Sequence, residues 1–448
     1  MKDSRRSFIK KAAATSAALS LGGVLPGMSA KSYGAIMGAN ERIKVGMIGV
    51  HARGLALAKN YAAQKNCEIV SVSDVDRNSM NKCVSTVDKI QNSKPRAIGD
   101  FRKALENKDL EAVVIATPDH WHAPAAILAC QAGKHAYVEK PCSHNPHEGE
   151  LLVAAARKYN RKVQMGAQRR SWPNVIEAIQ SIHDGIIGRV YFTKGWYTNN
   201  RPSIGTGKPV PTPDWLNYDL WQGPAPRERY RDNILHYNWH WFWNWGTGEA
   251  GNNGTHFTDL MRWGMDVEFP SSVRSGGGRY RYEDDWQTPD TQVMTFEFPN
   301  NTFMEWEGRS CNGRNIEGSS VGAAFYGEKG TLVLEGRNAY KIYDLKNKLL
   351  KEVKNDIKID THNTVSPAQA LDALHIQNFF DGIRKDAPLN TEIEIGYRST
   401  LLVQLGNIAV RCGNISFKTD PKNGHILDNE EARKYWKRTY EPGWEPSI

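Results

Sequence analysis

Short, largely apolar runs in the first third of the chain are separated by stretches of helical length. They occupy residues 45–48, 69–72, 110–116 and 136–138, and each is followed by glycine or a polar residue. Apolar runs of this length are typical of strands buried on both faces of a parallel sheet. Strands that alternate with helices in this way predict a Rossmann-type, doubly wound α/β fold over residues 41–165.

The pattern changes from residue 166 onward. Apolar runs at residues 190–196, 293–298, 302–306 and 331–334 are joined by turns rich in Gly, Asn and Pro. These runs predict an antiparallel sheet with one covered face, while residues 371–383 and 399–410 have helical spacing. We therefore expect a C-terminal α+β domain with a large, mostly antiparallel open sheet over residues 166–448. A length of 448 residues fits two domains.

Composition and charge place the chain among globular proteins. Hydrophobic residues make up 40% of the sequence and charged residues 24%. The net charge of +9 includes no long Lys/Arg block outside the N-terminus, so we expect no nucleic-acid partner. The six cysteines are scattered and form no C-x-x-C pair. We therefore expect neither a metal site nor a disulfide scaffold.

The first 30 residues have the features of an export signal. Residues 4–10 read S-R-R-S-F-I-K, which closely matches the twin-arginine pattern. A short Ala-rich region and the small residues at 28–30 follow, as before a cleavage site. The apolar part is too short to span a membrane. We expect export of the folded protein to the periplasm without a membrane anchor, with residues 31–40 as a linker.

A dinucleotide-binding unit is predicted between residues 43 and 74. Gly49 follows the first apolar run, Gly54 comes next, and Asp74 ends the second run 20 residues after Gly54. Gly49 permits a tight turn, Gly54 lets a helix lie close to the strand, and the helix N-terminus binds a pyrophosphate. Asp74 is placed to bind a ribose diol, which favours NAD over NADP. His51 replaces the middle glycine of the usual pattern, where it either contacts the cofactor or weakens its binding.

Polar residues also follow the later strands of this domain. Thr117, His122 and Lys140 lie at or just beyond the carboxyl ends of two predicted strands. Ligands of open α/β sheets bind outside these ends. We therefore expect the three side chains to meet in one crevice.

Four motifs together resemble the Gfo/Idh/MocA oxidoreductase family. They read G-V-H-A-R-G, A-T-P-D-H-W-H, G-K-H-A-Y-V-E-K-P and M-G-A-Q-R-R, at residues 49–54, 116–122, 133–141 and 165–170. The resemblance implies oxidation or reduction of sugars and polyols with NAD(P), and a dimer or tetramer formed through the open sheet. It also implies a cofactor site that includes Thr117, Pro118, His122, Glu139 and Lys140.

An aromatic segment at residues 236–260 carries further candidate chemistry. Tryptophans occupy positions 239, 241, 243 and 245. Sugars pack their C–H faces on aromatic rings, so we expect at least one of them, Trp241 in particular, to contact substrate. Asn252 and His256 share the face of a predicted helix and are expected to bind the sugar. The family usually has a carboxylate in place of Asn252, which Glu249 is positioned to supply.

Oxidation of a sugar needs a base for the hydroxyl proton and a nicotinamide beside the carbinol C–H. In the family the lysine of E-K-P lies beside the reacting hydroxyl, so we expect Lys140 to polarise or deprotonate it. His256 is the expected partner base, since imidazole titrates near neutral pH. Arg169 and Arg170 are candidate ligands of substrate or cofactor, with a structural ion pair as the alternative.

Three functions remain open at this point. The first is an exported dehydrogenase that holds NAD tightly and oxidises a sugar or glycoside, with C3 as the candidate position. The second is an NAD-dependent glycosidase that works by transient oxidation and elimination, although such relatives usually carry E-V-P in place of E-K-P. The third is a sugar-binding protein with a vestigial nucleotide fold, which only His51 and Asn252 support.

Overall fold

Residues 42–355, 357 and 368–448 are described in this computed structural model. The predicted export signal and linker lie outside the described residues. The first sheet is parallel, and its strands are β1 (Ile43–Ile48), β2 (Cys67–Ser73), β3 (Arg96–Ile98), β4 (Ala112–Ile115), β5 (His135–Val138) and β6 (Val163–Met165). Their order across the sheet is β3-β2-β1-β4-β5-β6. The order reverses beside β1, which opens a crevice at the carboxyl ends of β1 and β4.

Helices cover both faces of this sheet. They are α1 (Ala52–Ala62), α2 (Arg77–Gln91), α3 (Phe101–Leu105), α4 (Asp119–Gln131) and α5 (Pro146–Lys158). All four residues of β4 are buried, as the continuous apolar run predicts. Asp76 caps α2 by accepting hydrogen bonds from the N–H groups of Asn78 and Ser79. The predicted doubly wound half of the fold is confirmed.

The second sheet is mixed and mostly antiparallel. Its strands are β7 (Val190–Thr198), β8 (Ser272–Gly278), β9 (Thr291–Phe298), β10 (Thr302–Arg309), β11 (Val321–Gly327), β12 (Gly330–Leu334), β13 (Tyr340–Asp344), β14 (Leu349–Val353) and β15 (Ser416–Lys418). Their order is β14-β13-β12-β11-β7-β10-β9-β8-β15, with β7 and β10 parallel. Alternate residues of β10, such as Met304 and Trp306, are buried, so one face is covered and the predicted α+β domain is confirmed.

The helices of this second half are α6 (Pro173–His183), α7 (Tyr218–Gln222), α8 (Thr255–Met265), α9 (Gln369–Lys385), α10 (Ile393–Arg411) and α11 (Glu430–Arg433). A π-helical turn, Ala250–Gly254, leads directly into α8. The predicted boundary at residue 165 leaves α9 with the second domain, yet Ile376, Phe379 and Phe380 of α9 pack in the core of the first sheet. The two halves are therefore joined by a shared core.

Residues 199–249, here called the covering segment, leave the second sheet after β7 and lie against the first domain. The backbone N–H of Arg77 donates to Trp215, and that of Asn217 donates to Val75. An added Cβ at Gly223 would lie 2.0 Å from the indole of Trp121, which shows how closely the segment packs on α4.

All six cysteines are free thiols. Within the described ranges, no cluster of His, Cys, Asp and Glu could hold a metal ion. No helix in this part of the chain is both long and apolar enough to cross a membrane.

Candidate active site in the cleft between the domains

A cleft of about 560 Å³ lies at the carboxyl ends of β1, β2, β4 and β5. Ten of the residues predicted for the site line it: Gly49, His51, Asp74, Thr117, Pro118, His122, Glu139, Lys140, Asn252 and His256. The opposite wall belongs to the second domain and to the covering segment. The convergence expected of Thr117, His122 and Lys140 is therefore found.

The turn between β1 and α1 is shaped to admit a diphosphate. Gly49 has a φ of +77°, and an added Cβ would lie 2.7 Å from the backbone nitrogen of Thr117. An added Cβ at Gly54 would lie 1.9 Å from the carbonyl oxygen of Gly49, so α1 can approach β1 this closely only with glycine there. The first turn of α1, with Ala52 and Arg53, faces the cleft. Its N–H groups and the helix dipole suit an anion, so these residues fit a dinucleotide.

Asp74 directly follows β2, at one side of this turn. One carboxylate oxygen accepts from the backbone N–H of Val50 at 2.6 Å, and the other accepts from that of Asp76 at 2.9 Å. Burial raises the pKa of Asp74 to about 6, although these two hydrogen bonds act to lower it. The carboxylate faces the cleft, where a ribose diol would add further donors.

His51 is covered by a histidine of the covering segment. The rings of His51 and His236 stack with centroids 4.1 Å apart and planes 12° apart. His236 Nε2 lies 3.3 Å from a carboxylate oxygen of Asp76. Burial lowers the pKa of both imidazoles. Sequence reasoning missed His236, because this contact joins residues that are far apart in the chain.

Lys140 lies at the inner end of the cleft. Its Nζ donates to the backbone carbonyl of Asn252 at 2.8 Å and to the side-chain Oδ1 of the same residue at 3.2 Å. Burial lowers the pKa of Lys140, and it outweighs the nearby carboxylates of Glu139, Asp119 and Glu249, which act to raise it. A lysine with a lowered pKa has a neutral amine available at a lower pH than a surface lysine.

Glu139 holds the backbone beside this lysine. One oxygen accepts from Arg53 Nε at 2.7 Å, and the other accepts from the backbone N–H of Lys140 at 3.2 Å. Arg53 also pairs with Asp372 of α9 at 3.0 Å. Burial acts against the charge of Glu139, but Arg53 and Lys140 outweigh it and lower the pKa of this carboxyl. Asp372 was not predicted, since nothing near it in the sequence marks it.

His122 ties two strand ends together beneath the cleft. Its Nδ1 lies 2.6 Å from the carbonyl oxygen of Pro141, and its Nε2 lies 2.8 Å from that of Thr117. His122 is 2% exposed. It fixes the turns after β4 and β5, from which Thr117 and Lys140 face the cleft.

Several polar atoms of the cleft lack a partner among the described residues. They include Thr117 Oγ1, Gln168 Oε1 and His256 Nδ1. His256 lies in the first turn of α8, and burial together with the cations Arg169 and Lys140 lowers its pKa well below the usual range. A neutral imidazole with a free ring nitrogen can accept or donate a hydrogen bond to a ligand hydroxyl.

Three predicted substrate ligands lie elsewhere. Trp241 is 1% exposed and stacks on Trp286 at 3.9 Å, so the prediction that it contacts substrate is wrong. Arg170 forms a buried ion pair with Asp259, so its predicted ligand role is also wrong. The guanidinium of Arg169 does not line the cleft and lies 5.2 Å from the ring centroids of Trp172 and Phe257.

Aromatic lining comes instead from other positions of the covering segment. Tyr237 is 46% exposed and lines the cleft with Trp239 and His240. His240 stacks on Trp239 with ring centroids 3.6 Å apart. Arg201 lies 5.3 Å from the ring centroid of Tyr237. The alternating tryptophans indicate that this segment contributes to the site, but they do not indicate which of its side chains face the cleft.

Comparisons with known proteins agree with this architecture. Residues 43–167 match the Gfo/Idh/MocA family in the region described as "Oxidoreductase family, NAD-binding Rossmann fold". Residues 215–412 match the region described as "Oxidoreductase family, C-terminal alpha/beta domain". The two matches together cover well over half of the chain.

Curated relatives include a "Glycosyl hydrolase family 109 protein" of Saccharopolyspora erythraea, 28% identical over 51% of this chain and 55% of that protein. Another is an "Alpha-N-acetylgalactosaminidase" of Shewanella oneidensis, 25% identical over 43% of this chain and 45% of that protein. The chain thus spans about half the length of the curated relatives it matches.

Solved structures include levoglucosan dehydrogenase in complex with NADH and levoglucosan, with a TM-score of 0.64 and 20% identity over 84% of this chain and 99% of that chain. At this identity the likeness concerns the fold. The resemblance of the four sequence motifs is confirmed by the two family matches, and the chain belongs to the Gfo/Idh/MocA family of NAD-binding oxidoreductases.

Proposed function

We propose that this protein is an NAD-dependent oxidoreductase that oxidises a hydroxyl of a sugar or glycoside, with C3 as the candidate position. The observation that carries the proposal is the setting of Lys140. Two acceptor oxygens of Asn252 take two of its N–H bonds, which leaves one position on the tetrahedral nitrogen for a substrate hydroxyl. Burial lowers the pKa of the amine, as proton abstraction requires.

The chemistry assigns separate tasks to the residues of the cleft. Bound NAD supplies the hydride acceptor. Neutral Lys140 takes the hydroxyl proton, while the hydrogen on the same carbon leaves with its electron pair and the C–O bond becomes a carbonyl. The free ring nitrogen of His256 is available to a hydroxyl of the same sugar.

The proposal includes NAD rather than NADP, and tight retention of it. Asp74 and Asp76 both line the ribose end of the cleft, and a 2′-phosphate there would meet two carboxylates. The stacked pair of His51 and His236 supports retention, because release would require this contact to open.

A second candidate function is redox-neutral cleavage of a glycoside. The names of the curated relatives favour it, since one is a glycosyl hydrolase and another an alpha-N-acetylgalactosaminidase. Transient oxidation would acidify the neighbouring C–H, the aglycone would be eliminated, water would add and the ketone would be reduced again. The same base and the same bound cofactor serve both reactions.

One experiment separates these functions. The purified protein is denatured and its nucleotide identified, and the native protein is then incubated with a panel of sugars and glycosides. A product two hydrogens lighter, with NADH formed in the protein, supports the dehydrogenase. Free aglycone with unchanged sugar and no net NADH supports the glycosidase. Absence of both nucleotide and turnover contradicts both proposals and leaves a sugar-binding protein.

Export to the periplasm by the twin-arginine route is also part of the proposal, and the S-R-R-S-F-I-K sequence at residues 4–10 supports it. Cell fractionation of the tagged protein is the test. We expect a periplasmic pool that is lost when Arg5 and Arg6 are both replaced by Lys. A cytoplasmic pool that is unchanged by this replacement would contradict export.

A further inference from the structure

Glu249 is a buried carboxylate behind the cleft residues Asn252 and Asn253, and it does not itself contact Lys140. We propose that Glu249 is a positioning residue: it fixes the side-chain amide of Asn252, and through it the direction from which Lys140 meets a substrate. The inference rests on the proposed function, because it concerns how the same lysine accepts a proton. It replaces the expectation that Glu249 supplies a carboxylate directly to the reaction.

Four side chains donate to Glu249, which is 4% exposed. Arg201 Nε donates to one oxygen at 2.7 Å, and Ser310 Oγ donates to the same oxygen at 3.1 Å. Asn252 Nδ2 donates to the other oxygen at 3.3 Å, and Asn253 Nδ2 also donates there. The carboxylate is thus saturated by donors, one of which is the guanidinium of Arg201.

This arrangement determines which way the amide of Asn252 points. A carboxylate can only accept a hydrogen bond, so the group of Asn252 that faces Glu249 must be its NH₂. The remaining N–H of that NH₂ is directed to the hydroxyl of Tyr237 at 3.3 Å. The amide oxygen is left facing Lys140 Nζ. An orientation that is often ambiguous for asparagine is fixed here by the neighbouring charge.

Helical spacing explains these contacts, because residues three and four apart lie on one helix face. Glu249 comes directly before the π-helical turn, and Asn252 and Asn253 lie three and four residues later, so both side chains return to one carboxylate. An aspartate in place of Asn252 would put two carboxylates 3.3 Å apart or less, which is strongly unfavourable. Where the family usually has a carboxylate, this chain thus has the amide of Asn252. The carboxylate nearby is that of Glu249, three residues earlier in the sequence.

The consequence lies at the nitrogen of Lys140. The backbone and side-chain oxygens of Asn252 accept two hydrogen bonds from Lys140 Nζ. The third position on this nitrogen therefore carries a proton when the amine is charged and a lone pair when it is neutral. If the amide rotated, its NH₂ would donate to that lone pair and compete with the substrate hydroxyl. Loss of Glu249 should therefore lower kcat much more than it raises KM.

The test compares Glu249→Gln, Asn252→Ala and the double variant. We expect Glu249→Gln to lower kcat by about 10²-fold, as for misplacement of a reacting group. If Glu249 acts through Asn252, the double variant should be within about 2-fold of Asn252→Ala, because coupled residues are not additive. Losses that multiply in the double variant, or a Glu249→Gln enzyme with unchanged kcat, would overturn the inference.

The pH profile gives a readout that a merely structural role would not move. Asp119, Glu139 and Glu249 raise the pKa of Lys140, while burial and Arg53 lower it. Removal of the Glu249 charge lowers this pKa further, so the acid limb of kcat/KM should move to lower pH. Asn252→Asp should move it to higher pH, because its carboxyl lies within hydrogen-bond distance of Lys140 Nζ even if it shares a proton with Glu249. An acid limb that stays in place in both variants would contradict the inference.

A matched control removes another buried carboxylate from an arginine pair. Asp259 lies on α8 and outside the cleft lining, and Asp259→Asn breaks its pair with Arg170. This variant should lower the melting temperature but leave the acid limb in place. A shift of the limb in this control would mean that the pH readout reports fold stability, and the inference would fall.

A second readout needs no turnover. Purified protein is treated with acetic anhydride over a range of pH, and acetylation at Lys140 is measured by peptide mass spectrometry. At pH values high enough that the amine is neutral in every variant, Glu249→Gln should slow this reaction in the presence of Asn252 and not in the Asn252→Ala background. Equal slowing in both backgrounds overturns the inference. A wild-type protein that oxidises no sugar, yet gives the expected acetylation pattern, would contradict the proposed function alone.

Discussion

Lys140 combines two properties that seldom occur together in a lysine. Its amine is held by two oxygens of one residue, and burial lowers its pKa against three nearby carboxylates. The first property gives the amine a direction, and the second lets it lose a proton. Together they suit a residue that accepts a hydroxyl proton and later returns it.

Replacement of Lys140 by Arg tests the proton-transfer role. Arginine keeps the positive charge but is not deprotonated in proteins, so a base at this position would be lost. We expect kcat to fall by about 10²- to 10⁴-fold for both Lys140→Arg and Lys140→Met, with bound nucleotide retained, as measured by NADH formation and by nucleotide content. Full activity of Lys140→Arg would show that the charge alone is needed.

Asp74 predicts a pH dependence of cofactor binding. The raised pKa of about 6 means that the free protein protonates this carboxylate in mildly acidic solution, whereas ribose hydroxyl donors favour the charged form. Binding should therefore weaken as pH falls. We expect the Kd for NAD to rise about tenfold between about pH 7 and about pH 5, measured by titration calorimetry.

Asp74→Asn is the control for this prediction. The asparagine keeps the shape but does not titrate, so the Kd should be weaker at neutral pH and nearly flat across the same range. Protonation of His51 and His236 acts in the opposite direction, because it adds positive charge beside the diphosphate. Weakening at low pH that is identical in both proteins would contradict the role of Asp74, whereas tighter binding at low pH in both would assign the pH dependence to these histidines.

Among single residues, those that follow strand ends can be predicted from the sequence as site residues. Residues of the same type that differ only in burial cannot be told apart in this way. Lys140 and Asp74 could be predicted, because the carboxyl end of a parallel strand places a side chain at the crevice. Trp241 could not be separated from Trp239 by sequence, since one is a core residue and the other lines the cleft. Burial of that kind depends on Trp286, which is distant in the chain.

Helix α1 depends on glycine for its approach to β1. Gly54→Ala would bring a methyl group to 1.9 Å from the carbonyl oxygen of Gly49, so α1 must move away and its N-terminus with it. We expect a stability loss of about 1–3 kcal/mol, as for other overpacked sites, together with much weaker NAD binding, measured by thermal unfolding and titration calorimetry.

Gly276→Ala on β8 is a matched substitution, because an added Cβ there has no atom within 4 Å. This substitution should shift the melting temperature by no more than a few degrees and should leave the Kd for NAD unchanged. Equal behaviour of the two variants would mean that close packing of α1 does not shape the site.

Helices and strands with a regular apolar periodicity could be predicted from the sequence. Segments whose structure depends on contacts between residues far apart in the sequence could not. The strands and long helices follow from apolar periodicity alone. The π-helical turn before α8 was read as ordinary helix, because the extra residue per turn leaves no mark in the sequence. The covering segment has little regular structure, and its position depends on backbone hydrogen bonds to Val75 and Arg77, so no local pattern identifies it.

The open face of the second sheet predicts self-association of the whole molecule. Phe192 and Phe303 lie on neighbouring strands, and Phe192 stacks on Tyr326 at 5.2 Å. Phe303 alternates with buried residues of β10, so its side chain lies on the face away from α8. We expect a dimer or tetramer in sedimentation analysis, and dissociation in Phe303→Glu.

Ile176→Glu provides the comparison, since Ile176 is 41% exposed on α6 and lies off the sheet. It should leave the sedimentation coefficient unchanged. A wild-type protein that sediments as a monomer would contradict association through this face.

The covering segment also has a consequence for the order of events in catalysis. If the nucleotide is retained as proposed, it would exchange slowly with a surrounding pool, because His236 of this segment is itself held against His51 and Asp76. Electrons taken from one substrate must then leave through a second molecule that enters the same cleft after the first product has gone. Such an enzyme should give parallel lines in double-reciprocal plots, and its work would be independent of any supply of dissolved coenzyme.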